Sequence, residues 1–327
     1  MKKRRIGLLI ICGAIILSTI IFTIIDKVQG TENNNTANEN DKLKVVCTIF
    51  PEYDWARTII GDNLDKVELS MIVKNGVDLH SFQPSTADVV EITSADVFIY
   101  VGGVSDNWVT DVLANSKNKN QIVVNLMDVI GDRVILNEAH EDHGHKHEAA
   151  PDEHIWLSIE NAKLCVTEIA KALSDAAPNL AFGFSKNCSN YLYDLNELGN
   201  EYKNVVDNAK EKTIIVCDRF PFKYLVEDYG LTSYAAFTGC SAETEASFET
   251  IAFLSQKLQE TGLSGVITID NSDNKIANTV IQNSKIENCK IYTFDSMQST
   301  TLDDALGGKT YISIMKENCK SLKAALN

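Results

Sequence analysis

The sequence lacks several of the short patterns by which an enzyme or a structural metal site is recognised. It has no Gly-x-x-x-x-Gly-Lys-Ser/Thr loop, so the chain carries no ATP site of its own. A His-Glu-x-x-His helix and a Gly-x-Ser-x-Gly elbow are both missing, which removes two common routes to a hydrolase. None of its eight cysteines forms a Cys-x-x-Cys pair, and no cysteine cluster has structural-zinc spacing. Positive charge is scarce as well: 30 Lys and Arg stand against 45 Asp and Glu, a net charge of −15. That balance argues against nucleic acid or anionic lipid as a partner and permits a cationic one, although solubility alone would also account for it.

What is present begins with Met1-Lys2-Lys3-Arg4-Arg5 and an almost unbroken apolar run from Ile6 to Ile25. The run is close to the length of about 20 residues that one membrane span needs, and the basic end should stay cytoplasmic. Residues 1–30 are read as a signal or anchor segment. Retention as an anchor is favoured over cleavage after a small residue such as Gly30, and lipidation at Cys12 is disfavoured by the bulky Ile11 before it. Residues 31–42, rich in Asn, Glu and Thr, read as a solvated tether. Beyond the anchor lie Cys47, Cys165, Cys188, Cys217, Cys240, Cys289 and Cys319, an odd number with several set in apolar runs. They are read as buried free thiols rather than a disulfide framework.

From Leu43 onward, short β-rich runs alternate with helical stretches, the pattern of parallel sheets covered by helices. Strands are predicted at Leu43–Thr48, Val67–Val73, Val97–Val101 and Ile122–Leu126, and again at Thr213–Cys217, Ser233–Phe237, Gly265–Ile269 and Ile291–Phe294. The expected fold is α/β, with two lobes, each a mainly parallel four-stranded sheet flanked by helices, joined by one long rigid helix. The lobes are assigned to 43–178 and 212–327. Between them, 179–211 carries Phe184, Cys188, Tyr191, Leu195, Leu198, Tyr202 and Val205 at helical spacing. Some thirty helical residues make a rod of about 45 Å. A rod is a poor hinge, so closure on a ligand should be small.

All six histidines fall between positions 80 and 154. His140, His143, His145 and His147 lie in a His-Glu-Asp-His-Gly-His-Lys-His tract, within a loop assigned to 127–152. Imidazoles and carboxylates in such a segment bind borderline divalent ions loosely, and long loops in compact domains tend to be functional. His80 sits in Gly76-Val77-Asp78-Leu79-His80-Ser81-Phe82-Gln83-Pro84-Ser85, between a strand and a helix. Ligands of open α/β sheets bind there. His154 sits in Asp152-Glu153-His154-Ile155-Trp156-Leu157-Ser158. Either one alone could equally be a capped or core histidine.

Together, the Gly-x-Asp-x-His-x-(aromatic)-x-Pro-Ser run, the His-x-Trp-Leu run, the His-rich segment before it and the long helix resemble the zinc and manganese (cluster A-I) solute-binding proteins of bacterial ABC importers. The similarity covers Leu43 to the C terminus. It implies that the lobes clamp one divalent ion with His80, His154 and an acid at Asp295, in Thr293-Phe294-Asp295-Ser296. Capping of the next segment is the alternative role for Asp295. The family's third histidine falls on Arg219 of Cys217-Asp218-Arg219-Phe220-Pro221-Phe222, and a guanidinium cannot ligate a cation. Asp218 is the first substitute, with Cys217 or water next. Arg219 is expected instead to pair with Asp295 or another acid and to tune the site from outside.

The resemblance implies an extracytoplasmic, membrane-tethered receptor that delivers its ion to an ABC permease as a monomer, without nucleic acid and without enzymatic turnover. Two imidazoles favour Zn2+; Mn2+, which prefers more oxygen donors, is the alternative cargo. Two further readings are a surface adhesin built on the same fold and, with less support, a zinc-dependent hydrolase.

Overall fold

In a computed structural model of the chain, the described residues are 42–116, 118–137, 150–237 and 246–327, with the backbone alone of 141–142 and 145–146. The anchor segment, Cys12, the tether to residue 41 and Cys240 lie outside them.

The first lobe opens with β1 (Leu43–Cys47), α1 (Phe50–Ile60), β2 (Val67–Met71), α2 (Thr86–Thr93) and β3 (Val97–Tyr100). It continues with α3 (Trp108–Ala114), β4 (Ile122–Asn125) and α4 (Leu126–Ile130). Its strands are parallel in the order β2-β1-β3-β4, with Val45 between Leu69 and Val97. Val45, Val46, Val97 and Phe98 are buried, as expected of strands covered on both faces. Two short strands, β5 (Glu141–Asp142) and β6 (His145–Lys146), pair antiparallel. The helices α5 (Ile159–Ala176) and α6 (Ala181–Asp207) follow.

The second lobe contains β7 (Thr213–Val216), α7 (Lys223–Tyr229), β8 (Thr232–Ala235), α8 (Phe248–Thr261) and β9 (Gly265–Ile269). It ends with α9 (Lys275–Ser284), β10 (Lys290–Phe294), α10 (Leu302–Leu306) and α11 (Tyr311–Ala325). Its parallel order, β10-β9-β7-β8, repeats that of the first lobe: the second strand lies on one side of the first, the third and fourth on the other. Each sheet therefore has a reversal in strand order, between β1 and β3 and between β7 and β9, where loops diverge and leave a crevice at the carboxyl ends.

The helix α6 has 27 residues, about 40 Å at 1.5 Å per residue. Phe184, Cys188, Tyr191, Leu195, Leu198, Tyr202 and Val206 form its buried stripe, packed against α5, α1 and α11. Tyr202 Oη donates to the Met315 carbonyl at 2.7 Å, so the rod is fastened to the C-terminal helix as well as packed on it. One apolar core runs around α6 through both lobes. The six described cysteines are free thiols; all but Cys289 are buried.

Two segments differ from the reading above. The stretch beginning at Met127 is not loop at first: α4 is capped by Asn125, whose side chain accepts from Met127 N and Asp128 N, and buries Leu126, Met127 and Ile130. Helix α5 was not anticipated. It is capped by Ser158, which accepts from Asn161 N at 3.0 Å, and it buries Ile159, Ala162, Val166, Ile169 and Leu173 at spacings of three and four.

Candidate metal centre

His80 is delivered by the loop between β2 and α2, on a single turn of 3-10 helix, Leu79–Ser81, capped by Asp78. Asp78 Oδ1 accepts from His80 N at 3.0 Å. His154 immediately precedes another such turn, Ile155–Leu157, and Asp152 Oδ1 accepts from its backbone N at 3.0 Å. Two short Asp-x-His turns thus present the two imidazoles from separate parts of the first lobe.

The rings meet. Their Nε2 atoms are 3.3 Å apart and the rings stand edge to face. Each Nδ1 faces an acid on the other side: Asp152 Oδ1 lies 2.8 Å from His154 Nδ1, and Glu153 Oε2 lies 3.1 Å from His80 Nδ1. A carboxylate partner at Nδ1 fixes the hydrogen there and turns the Nε2 lone pair inward. Two nitrogens bound to one tetrahedral zinc at about 2.0–2.1 Å would stand about 3.3 Å apart. The imidazole pair has that separation.

Ser105, on the turn after β3, completes the support. Its N donates to Glu153 Oε1 at 2.7 Å, its hydroxyl donates to Glu153 Oε2, and its Oγ is 2.8 Å from His80 Nδ1. Burial works against the charge of Glu153, but the bonds from His80 and Ser105 hold its carboxyl below the ordinary value. Asp152 is likewise buried and is held low by its bonds to His154. Both acids stay ionised where an imidazole, or an ion bound to it, needs a counter-charge. Trp156 packs on the His154 ring and donates from Nε1 to the Ser296 carbonyl at 2.9 Å, which ties this turn to the second lobe. The pair lines a cavity of about 390 Å³ with Phe82, Gln83, Val104 and Asn137. His154 is buried at its base and His80 is open to solvent.

The other predicted residues stand apart from the imidazoles. Asp295 follows β10, and its Oδ1 accepts from Met297 N at 2.8 Å while its Oδ2 is 3.5 Å from Lys309 Nζ. That Asx turn holds Met297 at φ 66°. Burial, then the neighbouring Asp270, raises the Asp295 carboxyl above its ordinary value. Asp218 follows β7 and accepts from Ser272 Oγ at 2.5 Å and from Arg219 N at 2.8 Å. Arg219 pairs with Asp78 at 3.0 Å, not with Asp295. Asp218, Arg219, Asp78 and Asp270 line a second cavity of about 250 Å³. Among the described residues, no group of three or more His, Cys, Asp or Glu stands close enough to share one ion. His140, His143 and His147 lie outside the described residues, and of His145 only the backbone is described.

Ser105, the supporting acids Asp152 and Glu153, and Asp270, whose carboxylate accepts from Ser296 N at 2.8 Å, were not among the predicted site residues. The acids had a signal in plain view, since Asp-Glu directly before His154 supplies two carboxylates to one imidazole pair. Ser105 had none.

Matching parallel sheets on a rigid rod, with imidazoles converging at strand carboxyl ends, define a two-lobed binding protein. The family model for the periplasmic zinc-uptake complex component A matches residues 45–325, and the chain belongs to that family, which is one of transport components and not of enzymes. The zinc-binding lipoprotein AdcA of Streptococcus pneumoniae is 30% identical over 298 residues, covering 89% of this chain and 57% of AdcA. The high-affinity zinc uptake protein ZnuA of Bacillus subtilis is 26% identical, covering 100% of this chain and 99% of its own. Among solved structures, the zinc-bound ZnuA-like domain of S. pneumoniae AdcA aligns with a TM-score of 0.69 at 27% identity, over 88% of this chain and 99% of that domain. The chain spans little more than half the length of the AdcA relatives it matches.

Proposed function

We propose that this chain is the extracytoplasmic receptor of an ABC importer, which takes a divalent transition ion into the cleft at His80 and His154 and hands it to a membrane permease. The observation that carries this reading is the 3.3 Å approach of the two Nε2 atoms, each backed by an ionised acid at Nδ1. Two imidazole nitrogens favour zinc over manganese, and the zinc-binding names of the relatives agree. Asp295 and Asp218 are the protein ligands assigned to the remaining positions, with Cys217 or water as substitutes. Both acids sit at strand ends of the second lobe and would have to leave their present partners to reach the ion.

The segment with His140, His143, His145 and His147 is assigned the first, loose capture of ions. Residues 1–30 are assigned to the membrane anchor and 31–42 to the tether. The lobes 43–178 and 212–327, bridged by 179–211, act as a monomer with little hinge motion.

Zinc and manganese titrations of the full chain against a competing chelator test the reading. The expected result is one tight zinc per chain, not displaced by excess manganese, above weaker binding from the His-rich segment. Zinc binding that is uniformly weak would rule the cleft out. Glu153→Gln is expected to weaken the tight site about tenfold, the scale of losing a partner that orients a metal-bound imidazole. A Glu153→Gln protein with unaltered zinc affinity would show that the acid does not orient His80.

A further inference from the structure

The loop that carries His80 is not free to follow the first lobe alone. Lys74, near its start, accepts from Leu302 N of the second lobe at 3.0 Å. Gly76, at φ +65°, lies so close to the Ser299 carbonyl oxygen that a methyl group at its Cα would collide with it. Asp78 then binds in two directions with one carboxylate: Oδ1 accepts from His80 N at 3.0 Å, and Oδ2 accepts from Arg219 Nη1 at 3.0 Å. In the ion-free protein the backbone at Arg219 is held in turn, because its N donates to Asp218 Oδ1 at 2.8 Å and Asp218 Oδ2 takes the Ser272 hydroxyl at 2.5 Å. An unbroken chain of bonds therefore runs from the end of β7 and the turn after β9, across the cleft, to the backbone of His80.

We propose that Arg219 is a positioning residue that latches the lobes: through Asp78 it holds the His80 turn against the second lobe and keeps the cleft shut whether or not an ion is bound. A guanidinium suits this task because its charge is permanent and its donors form a rigid fork. The surrounding cavity places Asp78, Asp218 and Asp270 around this one cation, so the latch leaves the crevice acidic and does not repel a divalent ion. The proposal rests on the reading of His80 and His154 as the cleft ligands only for its effect on metal release; the latch itself concerns the ion-free protein.

Two measurements on the full chain test it. Small-angle scattering of zinc-free protein should give the same radius of gyration as the zinc-loaded form, whereas zinc-free Arg219→Ala should be larger. Stopped-flow release of zinc into excess chelator should be about tenfold faster in Arg219→Ala. Asp78→Asn, whose amide oxygen can still accept from His80 N, should match it, and the double variant should be no worse than either single one. Arg219→Lys, which keeps the charge, should recover part of the loss. Simple electrostatics predicts the opposite sign, since deleting a cation near the site would slow release. Slower release in Arg219→Ala, additive effects of the two substitutions, or an unaltered radius of the zinc-free variant would overturn the proposal. If wild-type protein fails to bind zinc at the cleft, the scattering comparison of zinc-free wild type and variant still decides the latch.

Discussion

Replacing His154 by alanine is expected to weaken zinc binding by about 100-fold or more, beyond the range seen when only a partner of a metal-bound histidine is lost. His154 is buried, its Nδ1 is held by Asp152 at 2.8 Å and its ring is packed on Trp156, so its Nε2 is fixed in place facing His80. Water could enter the space, but it would be a poorer donor to zinc than an imidazole nitrogen. His80→Ala should cost less, because His80 is open to solvent and a water there keeps access to Ser105 and Glu153. Chelator competition reads both values, and retention of wild-type affinity in His154→Ala would sink the assignment of the cleft. The variant should also lose stability in the absence of metal by about 1–3 kcal/mol, because Asp152 is left buried with one fewer hydrogen bond. Chemical unfolding of the zinc-free proteins separates that loss from the loss of affinity.

The fold was legible because its signals are local. Val45-Val46-Cys47 and Ile214-Ile215-Val216 are short runs suited to strands buried on both faces, and the stripe from Phe184 to Val206 has a helical period long enough to admit no other reading. Helix α5 was overlooked although Ile159, Ala162, Val166, Ile169 and Leu173 are as regular, and Ser158 is a good cap. The helix α4 is only five residues long, below the length at which periodicity says anything.

Of the site, the imidazoles were legible and their partners were not. His80 and His154 are 74 positions apart, yet both follow an acid by two residues, a local feature that caps their turns and that the sequence displays. Which acid faces which Nδ1 depends on how the turn after β3 approaches residue 153, a contact 48 positions apart that no spacing encodes. Arg219 shows the same limit from the other side. Chemistry alone barred it from ligation, but the choice of its acid was open, and Asp295 was as good a partner on paper as Asp78. The loop from Lys74 to His80 crosses to the second lobe, and only that crossing selects Asp78.

Beneath the imidazoles lies an acid whose titration should be visible in stability. Asp106 is buried and accepts from Gly102 N at 2.9 Å, but its Oδ1 finds no hydrogen-bond partner among the described residues, and neither does Oε1 of the buried Glu52. Burial, with Glu153 nearby, pushes the Asp106 carboxyl from 3.8 up to about 7. The folded protein thus holds this proton more tightly than the unfolded chain. The ionised form opposes folding, by nothing below about pH 4, increasingly as pH rises, and fully above about pH 7. At 1.36 kcal/mol per pKa unit the full cost is at most about 4 kcal/mol.

Asp106→Asn keeps an oxygen for Gly102 N and removes the charge. The variant should therefore match wild type near pH 4 and exceed it by about 2–4 kcal/mol at pH 8, a rise in Tm of about 3–7 °C for a chain of this size. Thermal unfolding of zinc-free protein across that range checks it, and a difference between variant and wild type that does not change with pH would refute it. Positive charge at His80 lowers the Asp106 carboxyl. An ion in the cleft acts in the same direction, so the advantage of Asp106→Asn at pH 8 should shrink when zinc is saturating.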